Sequence, residues 1–169
     1  MMNESKGSRR LASVYEWVEA LLFALTVVLL VFTFVVKSYI VDGSSMDPTL
    51  YTGQRVFALS LFYKPEGGDI VIIDDNNNLD EPLVKRVIAT EGQTVDFDPQ
   101  NGQILVDGKP FADPVPVSQD NLRGDMLYPL TVPEGYIFVM GDNRAWSLDS
   151  RYSELGLVDE RAVLGRLIG

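Results

Sequence analysis

Three segments of this 169-residue chain carry side chains able to do chemistry. The first is Gly43-Ser44-Ser45-Met46-Asp47-Pro48-Thr49. A nucleophilic serine needs a tight, exposed turn with free backbone N–H groups that can hold an oxyanion. Ser44 and Ser45 both fit that need, and a plain Gly/Ser linker has the same composition. The second is Leu83-Val84-Lys85-Arg86-Val87-Ile88. In a strand, Lys85 shares a face with Leu83 and Val87, and Arg86 shares the other with Val84 and Ile88. One of the two charges must then point toward an apolar layer. A desolvated lysine gives up its proton and an arginine does not. Lys85 is therefore the expected inward residue and a candidate neutral base; a lysine snorkelling at a sheet edge is the alternative. The third is Gly141 to Arg151, with two Asp, two Arg, one Asn and two Ser in eleven residues. That density suits a rigid hydrogen-bonded loop in which Asp149 pairs with Arg151 and Ser147 orients a base. A solvated turn has the same residues.

Composition narrows the chemistry. The chain has no cysteine and no histidine, which excludes disulfides, thiol nucleophiles, Cys/His zinc sites and a Ser-His-Asp triad. A hydrolase base must here be Lys, Asp or Glu, or the enzyme must use a carboxylate-bound metal. Lys plus Arg number 14 against 24 Asp plus Glu, a net charge of −10. Such a chain lacks the positive field that nucleic acid requires.

Before these segments comes Ala20 to Val36, 17 residues without a charge. A helix of about 17–25 apolar residues crosses a bilayer core. Trp17 and Tyr39 flank the run where interfacial aromatics belong. No A-x-A-like site follows it, so it reads as an uncleaved signal anchor rather than a cleaved signal or a buried core helix. Lys6, Arg9 and Arg10 precede it and Lys37 follows, which directs the N-terminus to the cytoplasm. The expected organisation is a cytoplasmic segment 1–19, a transmembrane anchor 20–36 and an extracytoplasmic domain 37–169. That outer part carries 11 basic and 21 acidic side chains, hence the whole negative charge.

The outer part reads as β: Arg55 to Phe62, Asp69 to Ile73, Leu83 to Ala89, Thr94 to Phe97, Gln103 to Val106 and Tyr136 to Met140. Asp107-Gly108 is a hairpin turn signal. Asp74 to Glu81 is an acidic, Asn-rich loop, and Phe111 to Pro133 is expected to be irregular because of its prolines. Leu155 to Ile168 is a strand or a short helix. Val56 to Tyr63 reads as a core strand, with a membrane-touching apolar surface as the other reading. The fold class expected is mainly β: one N-terminal transmembrane helix followed by an all-β, coiled-sheet or barrel-like domain.

Together, and in this order behind an anchor, these segments resemble the membrane-bound type I signal peptidases. Ser45-Met46-Asp47-Pro48-Thr49-Leu50 resembles the family's nucleophile box, and Gly68-Asp69-Ile70-Val71 its next box. Leu83 to Ile88 resembles its lysine box, and Gly141 to Arg151 its Gly-Asp-Asn-Arg-x-x-Ser-x-Asp-Ser-Arg box without a mismatch. Four such strings in register are a specific signal. The resemblance implies that Ser45 is the nucleophile, Lys85 the general base and Ser147 the serine that positions it. Asp142, Asp149 and Arg151 hold the loop, Gly43 and Ser45 supply oxyanion donors, and Met46, Leu50, Leu83 and Val84 line pockets for small side chains. The family often has Ser where this chain has Gly43, and Ala89-Thr90-Glu91-Gly92-Gln93 replaces a more usual turn.

The implied activity is removal of signal peptides from exported preproteins, with membrane lipid and preproteins as partners and neither nucleic acid, metal nor cofactor. Nine residues separate Val36 from Ser45, so the tether reaches at most about 30 Å. The site is then expected at the outer membrane surface. Three rivals share parts of this pattern. One is a self-cleaving Ser/Lys repressor, which would carry a DNA-binding domain instead of an anchor. The others are an enzyme for one dedicated substrate and a non-catalytic anchored β module.

Overall fold

The computed structural model describes residues 4–61, 63–115 and 123–168. The chain divides into two compact units, residues 1–37 and 38–169. The first is built on helix α1, Glu4–Phe34. Its stretch Val14–Phe34 is 21 residues long, and none of its residues is buried within the protein. At 1.5 Å per residue it spans about 30 Å, the thickness of a bilayer core. An apolar helix exposed all round has no protein core to occupy, so lipid is its natural surrounding. Thr26 Oγ1 donates to the Leu22 carbonyl at 2.8 Å, which satisfies the hydroxyl inside the helix. The helix stops at Phe34, where β-branched Val35 and Val36 favour extended backbone.

From Val36 on the chain is β. Seven strands form one antiparallel-rich sheet in the order β1-β2-β11-β3-β4-β9-β10. They are β1 Val36–Ile40, β2 Arg55–Leu59, β3 Ile70–Ile73, β4 Leu83–Ala89, β9 Tyr136–Met140, β10 Val158–Asp159 and β11 Val163–Ile168. A four-stranded sheet, order β7-β6-β5-β8, is made of β5 Thr94–Phe97, β6 Ile104–Val106, β7 Lys109–Pro110 and β8 Leu130–Thr131. The mainly β class read from the sequence holds, with one apolar N-terminal helix among the described residues. The C-terminal segment is a strand preceded by a short 3-10 turn, Glu160–Ala162. Asp107 and Gly108 both take positive φ, 53° and 72°, as a two-residue hairpin turn joining β6 to β7 requires. Strand β2 ends at Leu59, and Phe62, where the sequence reading ended it, lies outside the described residues. Val56 and Ala58 face the core while Phe57 is outward, so β2 is an ordinary half-buried strand. The irregular reading of 111–133 covers 116–122, outside the described residues; β8 is the regular element it missed.

Three apolar clusters fill the domain, and β4 touches all of them. Leu83 and Val87 join Val71, Ile73, Ile137 and Val139. Val84 packs against the cluster of Val41, Met46, Leu50 and Ile72. A bulge after Val87 turns Ile88 and Ala89 toward Phe97, Phe138 and Met140. Because β4 is covered on both faces, both of its charges are buried: Lys85 is 3% exposed and Arg86 8%. Lys85 is inward as the alternation suggested, and Arg86, on the other face, is buried as well.

Candidate active site

The site begins with adjacent strands. β3 pairs with β4, setting Val71 opposite Lys85, and β4 pairs with β9, setting Arg86 opposite Met140. β9 ends at Met140, so the Gly141–Arg151 loop leaves the sheet beside both charges. The loop folds back on its own strand. Ser150 N donates to the Val139 carbonyl at 3.0 Å, and Val139 N donates to Ser150 Oγ at 3.0 Å. Asp149 organises the turn: Gly141 N donates to it at 2.9 Å, and Arg151 grips it with Nε at 2.8 Å and Nη2 at 2.9 Å. The pairing of Asp149 with Arg151 read from the sequence is thus present, with both groups fully buried.

This loop brings Ser147 to Lys85. The Lys85 amine donates to Ser147 Oγ at 3.1 Å, and among the described residues it has no ion-pair partner. Burial pushes the Lys85 pKa down. Asp149 and Glu81 pull it back up by their charge, and Arg151 adds to the lowering. Burial wins because no carboxylate reaches the amine to replace its lost hydration.

Arg86 has the opposite surroundings. It donates from Nε and Nη2 to Asp142 at 2.8 and 2.6 Å, and from Nη1 to the Gly68 carbonyl at 2.7 Å. Asp142 also accepts from Thr49 Oγ1 at 2.5 Å. The buried Asp142–Arg86 pair therefore ties the serine turn, the Gly68 turn, the lysine strand and the loop together. Asn143 adds a second clamp on the serine turn: its N–H reaches the Ser45 carbonyl at 2.9 Å and its Nδ2 the Ser44 carbonyl at 3.0 Å. The Ser45 N–H has no hydrogen-bond partner among the described residues. Gly43 turns the chain with φ 89°, a conformation that favours glycine.

Gly141 explains how closely these parts meet. A Cβ there would lie 2.2 Å from Ser147 Oγ and 2.4 Å from the Ser45 carbonyl oxygen. Only hydrogen fits between the loop serine and the serine turn.

Ser45 and Lys85 line one groove of about 630 Å³, with Gly43, Ser44, Met46, Ile72, Leu83 and Val84 among its walls. Of the pocket residues expected from sequence, Met46, Leu83 and Val84 are in it. Leu50 is not; it lines a second hollow on the Arg86 side, because the turn Met46–Leu50 sends it back over Val56. The sequence reading also passed over several residues that shape the site. Asn143 and Thr49 lie inside the recognised boxes, yet no rule of spacing reveals what they bind. Asp113 clamps Arg144, accepting from its Nη2 at 2.8 Å and also from Nη1, across 31 positions of sequence. Leu79 of the acidic loop and Pro82 just after it form a wall of the groove. The unusual turn at 89–93 closes as a tight turn nonetheless, with Gln93 N on the Thr90 carbonyl at 3.1 Å and Gly92 at φ 79°.

A buried, carboxylate-free lysine sharing a groove with a serine on a glycine turn is the arrangement that a serine peptidase with an amine base requires. Known proteins give that arrangement its family. The model of the family "Signal peptidase, peptidase S26" matches residues 14–168. Signal peptidase I of Bacillus licheniformis is 40% identical over 97% of this chain and 91% of that protein. Signal peptidase I S of Bacillus subtilis is 36% identical over 96% of this chain and 91% of that protein. A crystal structure of a signal peptidase I from Enterococcus faecalis superposes with TM-score 0.52 at 29% identity, covering 63% of this chain and 98% of that one. The chain belongs to the signal peptidase family, peptidase S26. It is a membrane-anchored hydrolase of the serine peptidase type.

Proposed function

We propose that this chain removes N-terminal signal peptides from exported preproteins, with Ser45 as nucleophile and Lys85 as general base. The observation that carries the assignment is the Lys85 amine: buried, without a carboxylate partner, on Ser147 Oγ, in the groove that holds Ser45. A neutral Lys85 takes the Ser45 hydroxyl proton as Ser45 Oγ bonds to the scissile carbonyl carbon. The carbonyl oxygen becomes an oxyanion, held by the unpaired Ser45 N–H and the Gly43 turn. The C–N bond then breaks, and the new amino terminus takes the proton from the Lys85 ammonium. Lys85 next deprotonates a water, which attacks the acyl ester; Ser45 Oγ leaves and recovers a proton.

Ser147, Asp149 and Arg151 hold Lys85 in register, while Asp142 holds the serine turn. The apolar side chains of Met46, Leu83 and Val84 in the groove wall are consistent with binding small apolar side chains ahead of the cut. In this reading residues 1–19 are cytoplasmic, 20–36 span the membrane and 37–169 act outside, where lipid and the emerging preprotein meet the groove. The test is cleavage of a preprotein by detergent-solubilised wild type, Ser45→Ala and Lys85→Ala, with N-terminal sequencing of the product. Cutting after a small residue by wild type alone, with both variants folded, is the expected result. Activity surviving in Ser45→Ala would sink the nucleophile assignment.

A further inference from the structure

One part of the groove is accounted for by neither the serine turn nor the lysine strand. Trp146 lines it and is 81% exposed. Its indole stands out from a loop whose flanking residues are held. Trp146 N donates to the Asn143 carbonyl at 3.0 Å. On one side Arg144 is buried, gripping Asp113 and the Gly141 carbonyl at 3.0 Å. On the other side Ser147 is buried against Lys85. The backbone is therefore pinned on both flanks of an outward aromatic ring. Leu148, Leu79 and Pro82 supply further apolar wall to the same groove. An exposed indole on a held backbone at a pocket rim gains a large contact area when a partner covers it.

The geometry points to Trp146 as a specificity-determining residue whose indole covers an apolar side chain of the preprotein close to the scissile bond. This rests on the assignment of Ser45 and Lys85 above. The occupant is peptide rather than lipid because the indole shares its groove with both reacting side chains. The loop that carries it also holds the base.

The experiment uses the full chain in lipid nanodiscs and a synthetic peptide spanning a signal-peptide cleavage site. Trp146→Ala raises KM by about tenfold with kcat within about twofold, and Trp146→Phe recovers most of the loss. In Trp17→Phe/Ser45→Ala, Trp146 is the only tryptophan and the peptide is not cut. Its emission then shifts to the blue on adding the peptide, and shifts less when the peptide's apolar side chains are replaced by serine. An unchanged KM in Trp146→Ala overturns the inference. So does quenching of Trp146 by brominated lipid without any response to peptide, which would make the indole a membrane contact. Failure of the dyad assignment is read separately, from cleavage by Ser45→Ala or Lys85→Ala.

Discussion

Lys85 and Arg86 are neighbours on one strand, both cationic and both buried, yet their surroundings are opposite. Arg86 has a carboxylate on two of its nitrogens and a carbonyl on the third. Lys85 has one serine hydroxyl. A buried charge that is paired on every donor holds structure together, because breaking the pair strands a charge in a dry interior. A buried amine without a carboxylate relieves its cost by giving up the proton, which makes it a base. The two faces of β4 thus separate scaffolding from chemistry over a single residue.

Exchanging the two kinds of cation is the sharpest way to break this contrast. Lys85→Arg puts a permanent cation on a slightly longer side chain that cannot release its proton. It is expected to lose activity by about 10²–10⁴-fold, measured as kcat/KM on a preprotein. Retained activity would mean that Lys85 acts only as a cation. Next in size is Gly141→Ala, whose added methyl displaces Ser147 and the Ser45 carbonyl together. A shift of this kind costs about 10²-fold in kcat, and kcat is the quantity to follow. If kcat holds, the contact between loop and serine turn is looser than the Gly141 geometry requires.

Asp142→Ala tests the structural face. It leaves Arg86 buried and unpaired, for an expected loss of about 3–5 kcal/mol in chemical denaturation. The smallest effect carries the opposite sign. Lys85→Met removes a buried amine and is expected to stabilise the fold by about 1 kcal/mol near neutral pH. Because the folded pKa of Lys85 lies below that of the unfolded chain, the unfolded chain binds more protons between the two values. Wild-type stability therefore gains with pH across that window, from the folded pKa up to the ordinary lysine value of about 10.4. Lys85→Met lacks this gain. Wild-type activity rises in the same direction, as Lys85 deprotonates. A pH–rate profile that falls toward alkaline pH, before the fold is lost, would contradict the neutral base.

Much of this architecture is visible in the chain itself. β4, β5 and β9 begin and end where their apolar runs do, because each is bounded by turn residues. The Asp107-Gly108 turn is equally local. β1 was hidden because Val36 closes the apolar run of the helix and Lys37, Ser38 and Tyr39 after it show no strand alternation, and β8 and β10 because two-residue strands carry no period. Lys85 could be singled out by its neighbours, but the burial of Arg86 depends on what covers the second face of β4. Leu50 shows the same limit: its motif position is clear, and the side of the turn it faces is not.

Residue types alone determined the order of the chemical parts: an apolar span, a serine turn, a lysine strand and a dense polar loop. These are properties of neighbours in sequence, set by periodicity and by turn preference. Tertiary structure decided which partner each charge meets. Asp142 reaches Arg86 across 56 positions, Ser147 reaches Lys85 across 62, and Asn143 reaches Ser44 across 99. Such pairs form only when the sheet order brings β3, β4 and β9 side by side. The surroundings of a buried charge, and hence whether it binds or reacts, follow from that packing.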